Sequence, residues 1–317
     1  MAKRVTLARQ SLLMTECFGL VLIALFLCNA LYAQNDRFPN VAASSSLPQG
    51  DGLAAKFKAD AGIAAHPAVI FADDFESGEL ENRWDSSITP QALSFSDSSD
   101  PICGKRSLKV EARPAENTGG GLTQWFESAD RVFVRFYMRI DPDCGYISHC
   151  VTLRANKGLS GEDKWTGFGG AGNKPEGDRR FSTGLDPVGE WGRWPAPGKW
   201  YFYSYWHEMQ VSRDEKYWGN WFIPESQENI PTDRWICAEF MLKHNTPGQA
   251  DGEQAFWIDG LLMGHWKGIN WRTTESLKAN ALSLELYVSD SGTAKNPVNI
   301  VYFDNLVIAR EYIGPAK

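Results

Sequence analysis

Residues 131–140 (RVFVRFYMRI) alternate strictly. Val132, Val134, Phe136, Met138 and Ile140 share one parity, and Arg131, Phe133, Arg135, Tyr137 and Arg139 share the other. Successive side chains of a β-strand point to opposite faces, so this pattern fits a strand with one face in a core and fits no helix. The same period recurs in residues 107–112, 199–209, 234–243, 253–259, 281–288 and 299–309, with turn chemistry such as DPDCG, NTPGQADG and SDSGTAKNP between runs. Helical periodicity is nearly absent. Many strands with long connections indicate two packed antiparallel sheets, an all-β sandwich.

The sandwich does not claim the whole chain. Lys3, Arg4 and Arg9 precede a mostly apolar stretch at 18–27, and the small residues Ala30 and Ala33 follow. That is the layout of a secretory signal peptide cleaved near Ala33, with an apolar run too short and wrongly flanked to span a membrane. The expected organisation is a signal at 1–33, a flexible linker at 34–67 rich in Ala, Ser, Gly and Pro, and one folded domain at 68–313. The mature protein is expected to be secreted or periplasmic and not inserted in a membrane.

Loss of the signal removes Lys3, Arg4, Arg9 and Glu16 and moves the formal charge from −7 to about −9. This balance disfavours nucleic acid, and an acidic ligand would need a local basic patch. Of six cysteines, Cys103, Cys144, Cys150 and Cys237 stay. In an oxidising compartment they permit three pairings, and Cys144 with Cys150 spans the shortest loop.

Parity sorts the strands into core and outer sets. In residues 199–209 Trp200, Phe202, Ser204 and Trp206 fall together, and the more polar Tyr201, Tyr203, Tyr205 and His207 fall outside. In residues 234–243 the core set Ile236, Ala238, Phe240 and Leu242 leaves Glu239 and Lys243 outward, with Asn245 beyond. In residues 281–288 the leucines and Val288 turn in, and Ser283, Glu285 and Tyr287 turn out. With Arg135, Tyr137 and Arg139 these rows are expected to line a single concave surface. Solvated faces with cross-strand ion pairs are the alternative. Seven of thirteen tryptophans crowd between Trp165 and Trp221, and flat aromatic faces stack on sugar rings, so carbohydrate is the expected ligand. Residues 154–198, rich in Gly and Pro, read as long loops over one sheet.

Several stretches resemble secreted polysaccharide lyases with the concanavalin A-like jelly roll, in particular the alginate and glucuronan lyase-like group. RWICAEFMLKHNTPGQADGEQAFWIDG (234–260) is similar to that group's strand–turn–strand segment, YFDNLVIA (302–309) to its last strand, and FADDFESGEL with GKRSLKVEAR to the opening strands of many jelly rolls. KWTGFGGAG (164–172), RFSTG (180–184) and YFYSYWH (201–207) resemble the lyases' catalytic stretches. The resemblance implies catalytic roles for Lys164, Ser182, Tyr203 and Tyr205. It breaks at Gly184, where the group's Ser-x-Arg carries arginine, and Arg179, Arg180 and Arg193 are the nearby replacements.

Elimination across a uronate needs the carboxylate neutralised, a base for the C5 proton and an acid for the leaving O4. Arg135, Arg139 or Lys164 would neutralise, and Tyr203, Tyr205 or His207 would serve as base and acid. A phenol of pKa about 10 needs a neighbouring cation to act as a base, which the arginine row is expected to supply. The expected function is binding and β-elimination of a uronic-acid polysaccharide by a monomer, with Arg139, Tyr137, Glu239, Lys243, Asn245, Glu285, Tyr287 and Trp165 at the substrate. A non-catalytic carbohydrate-binding protein on the same fold is the rival reading. A glycoside hydrolase using Glu239 and Glu285 is the third, although the ExDxxE strand of laminarinase-like jelly rolls is absent.

Asp73, Glu76 and Asp304 come from strands at opposite ends of the chain that pair in such sandwiches, and are candidate ligands of a structural Ca²⁺. No organic cofactor is expected. Gly167, Gly169 and Gly172 satisfy GxGxxG without the strand and helix that a dinucleotide site requires.

Overall fold

In the computed structural model the alternation of residues 131–140 becomes a strand whose apolar parity is fully buried, with Val132, Val134, Phe136, Met138 and Ile140 all at 0% exposure. The structure describes residues 37–97, 102–232, 234–289 and 297–317. The expected signal peptide and its cleavage site lie outside these residues. Among the described residues no helix is long and apolar enough to cross a membrane.

The strands run in chain order β1 (Val69–Asp73), β2 (Ser86–Ile88), β3 (Leu93–Ser96), β4 (Ser107–Ala112) and β5 (Gly119–Trp125). Next come β6 (Arg131–Ile140), β7 (His149–Asn156), β8 (Arg180–Val188), β9 (Lys199–Tyr205) and β10 (Asn220–Phe222). The last are β11 (Ile236–Lys243), β12 (Gly252–Ile258), β13 (Leu261–Ile269), β14 (Lys278–Tyr287) and β15 (Asn299–Ala309). They form two antiparallel sheets, β13-β12-β11-β6-β15-β4-β3 with β1 added along β15, and β10-β9-β8-β7-β14-β5-β2. This is the two-sheet β-sandwich of jelly-roll type that the alternation and turns lead one to expect.

The main core lies between the sheets. Phe202 of β9 meets Phe240, Phe256 and Trp266 of the other sheet in edge-on contacts at 5.6–6.0 Å. A polar contact crosses this apolar layer. Thr183 Oγ1 of β8 donates to Gln254 Oε1 of β12 at 2.8 Å and meets Ser204 Oγ of β9 at 2.8 Å.

The first sheet is buried on both faces. Residues 38–67, expected as a flexible linker, instead fold into short 3-10 turns, and Leu53, Ala54 and Ile63 build a second core with Phe133, Met241, Trp257, Val307, Tyr312 and Ile313. Trp257 Nε1 donates to the Pro48 carbonyl at 2.8 Å, and the Ala54 amide donates to the Ile313 carbonyl at 2.8 Å. The folded unit therefore runs over residues 38–317, not 68–313. The composition of the segment misleads because a few large apolar groups suffice to dock it. Phe38 alone reaches the main core, 5.5 Å from Phe222 and 6.0 Å from Trp206.

This cover overturns the expectation that Arg135, Tyr137, Arg139, Glu239 and Lys243 share an open surface with the tyrosines. Arg135 is at 0% exposure and forms an ion pair with Asp60 of the arm, which also accepts from Asn305 Nδ2 at 2.9 Å. Glu239 takes the Ile313 and Gly314 amides on its two oxygens, each at 2.8 Å, and burial pushes its carboxyl up to about 7. Tyr137 accepts from the Ala316 amide at 2.8 Å. Arg139 lies 4.5 Å over the Tyr302 ring, and Lys243 binds Glu253 at 3.0 Å. Asn245 is buried in the connection after β11, where it accepts the Arg272 amide at 2.9 Å. These are structural roles.

Two further expectations change. No disulfide links the cysteines, because Cys144 Sγ faces Asn299 Oδ1 at 3.8 Å while Cys150 Sγ faces Met138 Sδ at 3.4 Å. Nor do Asp73, Glu76 and Asp304 gather as a ligand set. Asp73 accepts the Phe75 amide (3.0 Å) and Trp84 Nε1 (2.8 Å), Glu76 the Lys105 and Arg106 amides (2.7 and 2.6 Å), and Asp304 the Ile102 amide (2.9 Å). Among the described residues no group of three or more His, Cys, Asp or Glu is placed to hold a metal ion. The three acids anchor turns.

Replacing Asp60 by Asn keeps its shape and leaves the Arg135 charge without a partner. D60N is expected to lose about 3–5 kcal/mol in urea unfolding, and D60N/R135M to recover most of it, since apolar replacement of a buried pair is often nearly neutral.

Candidate functional site

The polar rows that stay half-exposed lie on the outer face of the second sheet. In β9, Trp200 and Phe202 enter the core, Tyr203 and Tyr205 stand half-exposed outside, and Tyr201, of the same parity, is buried. The Tyr203 and Tyr205 hydroxyls are 3.3 Å apart, and Tyr201 meets Trp221 of β10 edge-on at 5.3 Å. Across from Tyr205, Tyr203 and Tyr201, β8 presents Ser182, Gly184 and Asp186.

The next strand, β7, breaks its alternation. Its register against β14 shifts between Leu284 and Tyr287, so Cys150 turns to the core while His149 turns outward beside Tyr287. A bulge of this kind redirects a side chain that simple parity would misplace. The His149 ring stacks on Tyr287 at 5.7 Å and 14°, and its centroid lies 5.5 Å from that of Tyr203. Its Nδ1 is 3.3 Å from Asp186 Oδ2, and its side chain keeps 36% exposure. Farther along β7, Arg154 donates to Ser283 Oγ at 3.0 Å and Glu285 Oε1 at 3.4 Å, and lies 4.8 Å over the Phe168 ring.

Burial pushes the Tyr203 phenol well above its ordinary range, and the Tyr205 and Asp186 neighbours push the same way. Tyr203 is therefore a proton holder. The arginine row expected to stabilise its phenolate sits on the other sheet, which removes the reason to treat it as a resting base.

The structure thus divides the expected site residues. Tyr203, Tyr205, Ser182, Glu285 and Tyr287 share this face. Lys164 and Trp165 reach it from the connection after β7, with the Lys164 ammonium 4.7 Å from the Trp125 ring and 5.3 Å from that of Trp165. Trp125, Ala281, Arg154, Ser182 and Tyr205 lie in one cross-strand row. Four strand steps at about 4.8 Å separate the backbones of Trp125, beside which Lys164 sits, and Tyr205 by roughly 19 Å. His207 lies past the end of β9, 3.9 Å from Glu208, with its Nδ1 buried. His149, Arg154, Asp186 and Trp125 are the functional candidates that sequence reasoning missed. The parity of residues 149–156 would have flagged Arg154, and the bulge hid His149.

No protein-family model matches the chain, and no curated protein does. Among solved structures it is similar to the marine PL-14 alginate lyase of Aplysia kurodai, with TM-score 0.56 and 16% identity over 76% of this chain and 97% of that one. It is similar to the alginate lyase vAL-1 from Chlorella virus, with TM-score 0.57 and 17% identity over 77% and 100% of the two chains. A third is a mutant of the alginate lyase Aly36B in complex with alginate tetrasaccharide, at TM-score 0.52 and 14% identity over 78% and 98%. At such identities the likeness is one of fold, and at that level it matches the resemblance seen in the sequence.

A Cβ on Gly219, which leads into β10, would stand 2.6–2.7 Å from three atoms of the Tyr203 ring. Gly219→Ala is expected to cost about 1–3 kcal/mol by overpacking. The cost should vanish in a Tyr203→Ala background, a coupling that thermal melts of the double-mutant cycle will reveal.

Proposed function

We propose that the outer face of the second sheet binds an acidic polysaccharide and cleaves it by β-elimination, with His149 as base and Tyr203 as acid. The observation that carries this reading is the pairing of an imidazole and a protonated phenol whose rings touch on one open, aromatic-rich surface. In the reaction, His149 Nε2 takes the C5 proton, the C5–H electrons form the C4=C5 double bond, and the C4–O4 bond breaks. Tyr203 gives its proton to O4, and the Tyr205 hydroxyl, 3.3 Å away, donates to the phenolate that results. Arg154, a cation of this face, is the group that meets the uronate carboxylate, exchanging its contact with Glu285.

Trp125 and Trp165, flanked by Lys164, offer an aromatic and cationic platform for sugar units farther along the chain, with Trp165 at 42% exposure. The shared fold with alginate lyases supports a polysaccharide substrate, and the signal-like residues 1–33 support a place outside the cytoplasm.

The test is incubation with a panel of uronate polymers. Wild-type protein is expected to generate ultraviolet-absorbing unsaturated ends, and H149A and Y203F to lower kcat by about 10²–10⁴-fold with unchanged circular dichroism. Reducing ends without that absorbance would make the protein a hydrolase. Retention on a polymer column without cleavage would make it a binder, and either result overturns the proposal.

A further inference from the structure

Asp186 lies on the outward parity of β8 yet has 0% exposure, covered by the groups around it. Both of its oxygens are committed. Oδ1 accepts the Cys150 amide at 2.7 Å, and Oδ2 faces His149 Nδ1 at 3.3 Å. That amide belongs to the residue next to His149 within the β7 irregularity, so one carboxylate grips both the backbone and the ring of the same segment.

Gly184 explains how the carboxylate gets there. A Cβ at this position would lie 2.7 Å from Thr152 Oγ1 and 3.1 Å from Asp186 Oδ2. Any side chain at 184, arginine included, would press on the Asp186 carboxylate and its neighbour. The place where the chain departs from the lyase pattern is thus the place that an aspartate–histidine contact needs empty.

We propose that Asp186 is a positioning residue that fixes the tautomer and orientation of His149, and that Gly184 is kept small to admit it. This rests on the lyase reading above and adds to it the group that makes Nε2 the reacting nitrogen. With Nδ1–H donated to Asp186, Nε2 carries the lone pair. A buried carboxylate that holds an imidazole in this way also stabilises the imidazolium formed when the base takes its proton.

The charged and titratable groups around the ring come from four strands. Asp186 stands on β8, Glu285 and Tyr287 on β14, Arg154 on β7 and Tyr203 on β9. Desolvation alone would lower the His149 pKa. The hydrogen bond and charge of Asp186, with the charge of Glu285, outweigh it against the opposing Arg154, and the net shift is upward. Removing the Asp186 charge should therefore let the pKa fall and move the acid limb of the rate profile to lower pH.

The decisive measurement is the imidazole titration of His149 by NMR in the full chain. In wild-type protein the neutral ring is expected as the Nδ1–H tautomer, with a midpoint above the ordinary value of about 6.5. D186N keeps an acceptor for the Cys150 amide and should lower the midpoint by about one pH unit or more. It should reduce kcat by about 10²–10⁴-fold with little change in KM, and shift the acid limb downward. G184A, which removes no titratable group, should lower the midpoint in the same direction by displacing the carboxylate.

A wild-type ring protonated at Nε2 overturns the proposal without any variant. So does a D186N midpoint that does not move, or a D186N enzyme with full kcat. If the titrations behave as expected but no polymer gains unsaturated ends, the pairing stands and the lyase reading falls.

Discussion

A guanidinium without a counter-charge is not tolerated inside a protein, and Arg135 stands at 0% exposure in the middle of β6. Its partner Asp60 is delivered by the arm in a left-handed conformation, φ 60°, and Asn305, which shares that carboxylate, is also left-handed at φ 44°. Such backbone strain persists only where the surroundings over-determine it. Here the ion pair does so, and with it the arm lies down on the first sheet. Glu239 holds residues 313 and 314 over the same face, and Trp257 closes the gap through Pro48. One face of the sandwich becomes interior, and the half-exposed polar rows stay on the other sheet.

That remaining face draws its groups from five strands. The tyrosines come from β9, Asp186 from β8, His149 and Arg154 from β7, Glu285 and Tyr287 from β14, and Trp125 from β5. Their chemistry is set by how deeply each sinks. Tyr203 is half-buried and holds its proton, whereas His149 keeps a third of its side chain open. Burial raises the Tyr203 phenol, whereas at His149 the Asp186 hydrogen bond and charge, with the Glu285 charge, outweigh burial and raise the imidazole.

The fold was legible because period-2 alternation survives in the long strands. β6, β9, β11 and β14 follow it, with their apolar parities in the core, whereas β15 switches parity at its bulge between Asp304 and Val307, where Val301 and Phe303 give way to Leu306 and Ile308 in the main core. Which outer face stays open was not legible. Alternation separates inward from outward and carries no information about what later covers the outward row, so Arg135 and Tyr203 looked equivalent. The arm looked like a linker because docking on an existing sheet needs only isolated anchors such as Phe38, Leu53 and Ile63. Tyr203, Tyr205, Glu285 and Tyr287 were found by parity. His149 was not, since the sequence His-Cys-Val-Thr shows no clean alternation where the strand bulges. Lys164 came from a motif resemblance, and the structure sets it beside Trp125 and Trp165 on the same face.

The Thr183–Ser204–Gln254 contact has a mechanical consequence. It bridges two layers that meet largely through apolar side chains. Sliding one layer past the other by a single residue would strand those hydroxyls and that amide, at about 1–3 kcal/mol for each group orphaned. The layers are pinned against shear, so any rearrangement at the open face falls to the connections at 157–179 and 206–219. These already clasp each other through paired backbone bonds between Gly172 and Tyr217.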